Sequence, residues 1–320
     1  MGSTHLTRAR ALSLLAAAPL VRSSRASAQT AASPTIRIGA GPNDAYAQAF
    51  YAQSGGFFAK YGITAQIFNF PNAQAIVQAA VGNALDVGMA DMIQLVNPIQ
   101  KGVPLAYFAG GAVYRSDAPT TLLVVAKSST VQKPKDLEGS TIGVVALNSI
   151  SSMSVTEWLR QGGADTSRIK IFELPFAVMI PALLRGEVAA AFVAEPFLSG
   201  GLKTDIRPLA STYDTIAKQF YIGAWFGSRD WFAKNPDLSR RFTQALYDTA
   251  RWSNTHHDDT APILAGVSKL DPDRIKSMTR SVYATSLDPK LMQPVIDIAV
   301  RYNLIEKPVN AADLILKVSA

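Results

Sequence analysis

The sequence predicts an α/β protein built as two similar lobes, and three observations lead there. First, residues 71–91 (PNAQAIVQAAVGNALDVGMAD) and 175–195 (PFAVMIPALLRGEVAAAFVAE) align without a gap, 104 positions apart. Pro71 matches Pro175, Ala73 matches Ala177, Ile76 matches Ile180, Gly82 matches Gly186, and acidic Asp91 falls on acidic Glu195. Second, strand-like and helix-like stretches alternate with short loops, the pattern of parallel pairing in an α/β sheet. Third, 320 residues at 48% hydrophobic and 17% charged suit about two lobes of roughly 150 residues.

The elements follow in order. Residues 35–40 (TIRIGA) read as a strand ended by Gly41-Pro42, and Asp44 is placed to cap a helix over 45–53 that Gly55-Gly56 stops. Residues 63–70 (ITAQIFNF) alternate like a strand. Asn72 then caps a helix whose apolar positions Ala73, Ile76, Val77, Ala80 and Val81 keep helical spacing. Gly82 ends it, and 85–89 form the next strand. The second copy repeats the plan: a strand over 141–146, a helix over 149–161 ended by Gly162-Gly163, a strand over 169–172, then the repeated segment from Pro175. Two strand-like stretches, 120–126 (TTLLVVA) and 220–227 (FYIGAWFG), read as crossings between lobes. Lobe I is therefore expected to be discontinuous (35–119 and 228–320), and lobe II to span 120–227. Asp271-Pro272 and Asp288-Pro289 signal helix starts in the C-terminal region.

Residues 1–28 read as a signal peptide. Arg8 and Arg10 precede the apolar run 11–21, and Ala26-Ser27-Ala28 offers a cleavage site before Gln29. A disordered N-terminus that stays in place is the alternative. Without Arg8, Arg10, Arg22 and Arg25 the net charge falls from +7 to about +3, too mild for a nucleic-acid surface. No run approaches the ~18 apolar residues of a membrane span. The chain has no cysteine, which excludes disulfides, thiolate metal sites and a cysteine nucleophile. A soluble, exported protein is expected. His256-His257-Asp258-Asp259 looks like a metal cluster, but adjacent helical side chains diverge by about 100° and the aspartates resemble a cap. No metal or cofactor is expected.

In open α/β sheets, ligands bind outside the carboxyl ends of the strands. Those ends carry GPND (41–44), FPNAQ (70–74), MADM (89–92), ALNSISS (146–152), PFA (175–177) and AEPF (194–197). Facing lobes bring all six loops to one cleft, where helix N-termini favour oxygen-rich groups. None of the six carries Lys or Arg, so a neutral or donor-rich ligand fits better than an anion.

The stretches GGFFAKYGITAQI (55–67), QAAVGNALDVGMAD (78–91), KGVPLAYFA (101–109), KPKDLEGSTIGV (133–144), LLRGEVAAAFVAEPFL (183–198) and IDIAVRYNLIEKPVN (296–310) carry a resemblance. Residues 35–320 resemble the periplasmic substrate-binding proteins of ABC importers, in the nitrate/sulfonate/taurine and thiamine-precursor binding family. The resemblance implies a type II periplasmic-binding-protein fold, crossed twice, with the ligand cleft between the lobes. It also implies a periplasmic monomer with no enzymatic activity. Its partners would be a small organic ligand (a heterocycle, sulfonate or related acid) and an inner-membrane permease. Two rivals share the fold: an enzyme of thiamine-pyrimidine synthesis, and the ligand-sensing domain of a receptor or regulator. The enzymes need a site histidine and a cysteine-rich motif, which this chain lacks.

Candidate ligand-binding residues are Asn43, Asp44, Tyr46, Asn72, Ala73, Asp91, Met92, Asn148, Ser149, Ser151, Ser152, Phe176, Glu195 and Trp225. Two roles stay open for several. Asn72 and Asn148 fit helix caps as well as a ligand cradle. Asp91 and Glu195 fit either backbone acceptors or acceptors for ligand donors. Tyr46, Phe176 and Trp225 fit core packing or cleft walls. Arg115 is the nearest cation to the cleft, or a solvated surface charge.

Overall fold

The computed structural model describes residues 35–318, so the signal-peptide expectation lies outside the described residues. The described residues belong to a single compact unit. Its strands are β1 (Thr35–Ala40), β2 (Thr64–Asn69), β3 (Val87–Ala90), β4 (Leu105–Gly110), β5 (Ala112–Arg115), β6 (Thr121–Ala126) and β7 (Thr141–Val144). They continue as β8 (Lys170–Glu173), β9 (Ala190–Ala194), β10 (Ile206–Ala210), β11 (Gln219–Tyr221), β12 (Ala224–Ser228) and β13 (Val282–Tyr283).

Two five-stranded sheets carry the lobes, in the orders β2-β1-β3-β12-β4 and β8-β7-β9-β6-β10. The orders correspond strand for strand. In each, the repeated strand–helix–strand units pair in parallel, and one antiparallel strand lies beside the third strand of the unit. That strand is contributed by chain that has just crossed from the other lobe: β6 in the second sheet, β12 in the first. The duplication read from 71–91 and 175–195 is thus a duplication of whole sheets.

The crossings coincide only in part with the stretches expected to make them. β6 belongs wholly to the second sheet, and the crossing strand before it is β5. Residues 220–227 divide into β11, which crosses, and β12, which enters the first sheet. β5 pairs antiparallel with β11 and with β13, giving a three-stranded strip between the lobes. A continuous apolar run cannot reveal where one sheet ends and another begins.

Close packing sets some positions in the first sheet. A Cβ on Gly88 would lie 2.4 Å from the Ile76 side chain and one on Gly39 2.6 Å from it, so the helix Ala73–Val81 seats directly on the sheet. The helix expected over 45–53 divides into a 3-10 turn, Asp44–Tyr46, and a helix, Gln48–Ser54. Asp44 does not cap it. Its carboxylate accepts from Arg280 Nη2 at 3.1 Å, Tyr51 Oη at 2.7 Å and Ser281 N at 2.6 Å. Tertiary partners therefore outcompete the local cap. Asp271 does cap the helix Pro272–Lys276, whereas Asp288 caps only a 3-10 turn, Pro289–Leu291.

Candidate functional site

The carboxyl ends of β1, β3, β7 and β9 converge on a cavity between the two sheets. The space open to the centre of a water molecule is about 60 Å³, and its walls are mainly apolar. Helices begin there too: Ala73–Val81 and Met92–Gln100 from the first lobe, Ile150–Gln161 and Phe176–Leu184 from the second.

Asp91 links the two sides. It follows β3, and its Oδ1 accepts from Gln94 N at 3.0 Å, capping Met92–Gln100. Its Oδ2 accepts from Ile150 N at 3.2 Å, in the first turn of the facing lobe's helix. Burial pushes the carboxyl up to about 7, although both backbone donors favour the ion. Tyr107 donates to the Asp91 carbonyl at 2.8 Å. Tyr46, Tyr107 and Tyr213 are pushed up by burial and, less strongly, by the Asp91 charge, so all three stay neutral.

Other bonds cross between the lobes. Asp44 N donates to Glu195 O at 3.2 Å, and Asn72 Nδ2 donates to Glu173 Oε1 at 3.3 Å. Farther out, Glu157 of the second lobe accepts from Arg160 at 2.9 Å, from the Tyr302 hydroxyl, and faces Arg301 at 3.6 Å. These donors hold its carboxyl at about 2, with Arg160 the largest cause.

The structure brings Asn43, Tyr46, Asn72, Ala73, Asp91, Ser149, Ser151 and Phe176 to the cavity wall. Asn72 also caps its helix by accepting from Ala75 N at 3.0 Å. Ser149 and Ser151 share a 2.7 Å hydrogen bond.

The remaining candidates lie elsewhere. Asp44 is committed to its buried ion pair, and Met92 is fully buried behind the wall. Asn148 is exposed in a turn at φ 51°, and the Ser152 hydroxyl is closed onto the Ser149 backbone. Glu195 accepts from Ser199 N at 3.1 Å in the first turn of Phe197–Thr204, and burial raises its carboxyl to about 7. Trp225 is buried in the first lobe, where its Nε1 donates to Gln48 Oε1 at 2.8 Å. Arg115 pairs with Asp117 at the surface.

Sequence reasoning missed Gln94, Thr121, Phe192 and Tyr213, which also line the cavity. Gln94 Oε1 and Thr121 Oγ1 are buried without a hydrogen-bond partner among the described residues. Thr121 had a findable signal. A strand inserted antiparallel presents its first residue at the edge where its neighbours end. Among the described residues, no Lys, Arg or His lines the cavity, and no group of His, Asp or Glu is arranged to hold a metal ion. No described helix is long and apolar enough to cross a membrane.

The profile of the NMT1-like family matches residues 29–267. Among solved structures, the chain is similar to the periplasmic aliphatic sulphonate binding protein SsuA from Escherichia coli: TM-score 0.70, 18% identity, 89% of this chain and 92% of that one covered. It is similar to the periplasmic nitrate-binding protein NrtA from Synechocystis PCC 6803: TM-score 0.74, 15% identity, 87% and 84% covered. It is also similar to the desulfurization enzyme DSZB: TM-score 0.67, 14% identity, 88% and 96% covered. At these identities the likeness is one of fold. No curated protein sequence matches the chain significantly.

Proposed function

The chain belongs to the NMT1-like family, and from that premise we propose that it is an extracytoplasmic solute-binding protein. It captures a small organic molecule between its lobes and delivers it to the permease of an ABC importer. The observation that carries this reading is the cavity itself: loops and helix starts from both sheets enclose it, and Asp91 is hydrogen-bonded to backbone on both sides. Enclosure by two hinged lobes couples binding to closure. The solute-binding names of the sulphonate- and nitrate-binding relatives support the same reading.

DSZB makes an enzyme the second reading, on the same fold. The cavity hydroxyls argue against it. Ser149 donates to the Ala146 carbonyl at 2.8 Å and is bonded to Ser151, rather than facing a base that could activate it. The test is a thermal-shift screen of the protein from Gln29 onward against sulfonates, nitrate, aromatic acids, pyrimidines and flavins. Ligand at ~1,000 times its Kd stabilises by roughly 4 kcal/mol. A stabilising compound should also compact the particle in X-ray scattering and be recovered unchanged. Recovery of a converted product, or silence across the whole panel, would sink the proposal. Cell fractionation should find the processed chain in the periplasm.

A further inference from the structure

We propose that the cavity selects an uncharged or cationic planar ligand bearing N–H donors, and that Asp91 is the residue that excludes anions. The inference rests on the solute-binding reading above and narrows it.

Helix N-termini attract anions because their first amides are unpaired and the helix dipole is positive there. At two of the four helix starts on the cavity the chain fills that role itself; Ala73–Val81 is capped by the neutral Asn72 and Phe176–Leu184 carries no side-chain cap. One carboxylate accepts from a first-turn amide of Met92–Gln100 and from one of Ile150–Gln161, so the charge both ends attract is already present. An anionic ligand would meet Asp91 in a cavity where, among the described residues, no cation offsets the repulsion.

The unused polar atoms point the same way. Gln94 Oε1 can only accept, and it is buried without a partner among the described residues. A ligand donor satisfies it directly; to meet a carboxylate, nitrate or sulfonate oxygen the amide would have to turn its Nε2 inward instead. Thr121 Oγ1, likewise unpartnered, can serve a donor or an acceptor. The aromatic rings of Phe70, Phe176, Phe192 and Tyr213 complete the wall, and aromatic surroundings favour a planar or cationic group.

Three isosteric probes separate charge from shape: benzamidine (cation), benzamide (neutral) and benzoate (anion), with nitrate and methanesulfonate as further anions. Titration calorimetry at pH 8, where Asp91 is mostly ionised and the facing Tyr46, Tyr107 and Tyr213 are neutral, reads the selectivity on the wild-type protein. Benzamidine or benzamide is expected to bind at least tenfold more tightly than any anion. Asp91→Asn should shrink that ratio at least tenfold. Thr121→Val, a near-isosteric change that leaves Asp91 in place, should weaken benzamide several-fold.

Tighter binding of benzoate, nitrate or methanesulfonate overturns the ligand class while leaving solute capture standing. An unchanged ratio in Asp91→Asn overturns the role of Asp91. Silence of all five probes also counts against the class. Silence of the wider screen as well would remove the solute-binding reading.

Discussion

Replacing Asp44 with alanine removes one half of a buried ion pair and leaves the other half stranded. The Asp44 side chain is 1% exposed and that of Arg280 6%. Arg280 reaches Asp44 through Nη2 at 3.1 Å and Nε at 3.3 Å, and its Nη1 donates to the His257 carbonyl at 3.1 Å. Burial works against the guanidinium charge, but Asp44 outweighs it and the guanidinium is held above its ordinary value. Breaking such a pair costs about 3–5 kcal/mol, because the remaining charge has no compensation. At the low end of the usual ~2–4 °C per kcal/mol, that lowers Tm by roughly 6–10 °C. Urea denaturation followed by circular dichroism measures the loss. The double variant Asp44→Leu/Arg280→Met removes both charges and should recover much of it. A single variant losing less than about 1 kcal/mol, or a double variant as unstable as the two singles combined, refutes the account.

The other predictions are shorter. Burial raises Asp91 and Glu195 to about 7, so the folded chain holds their protons more tightly than the unfolded chain. Their contribution is fully present below about pH 4 and is lost as pH rises through about 7; Asp91→Asn/Glu195→Gln should flatten that decline. Glu157 has the opposite sign, its value lowered to about 2. Its contribution is present above about pH 4.5 and lost as pH falls through 2, so the stability gap between wild type and Glu157→Gln should close over that window. Gly88→Ala places a methyl 2.4 Å from the Ile76 side chain. It should cost ~1–3 kcal/mol, and adding Ile76→Ala should make the glycine change milder. Trp225→Phe strands Gln48 Oε1 and should cost ~1–3 kcal/mol while leaving ligand affinity unchanged.

The lobes were legible because parallel strand–helix units leave a periodic trace, and duplication wrote that trace twice. Several cavity residues were legible for a related reason: the loops after β1, β2 and β8 are defined by local turn chemistry at Gly41-Pro42, Asn72 and Pro175. What escaped is nonlocal. Asp44 sits where a cap is expected, but its partner Arg280 is 236 positions away. Trp225 and Phe176 look alike as aromatics near strand ends; the buried side chain of Gln48, 177 positions from Trp225, draws the indole into the core. Tyr213 reaches the cavity from a 3-10 turn after β10, and no local pattern marks such a turn as facing the other lobe.

The three-stranded strip between the lobes has a mechanical consequence. β5 and β11 are tied to each other by a ladder that also holds β13, so the linkage is a narrow ribbon rather than two independent tethers. A hydrogen-bonded ribbon flexes normal to its plane far more easily than it shears or stretches, which leaves the lobes one soft degree of freedom. Fluorophore pairs placed at different points across the cleft should then report a single shared relaxation, on the μs–ms scale usual for hinge motions. The direction of opening would be set by the ribbon's plane, and cargo would set only how far along that one path the molecule rests.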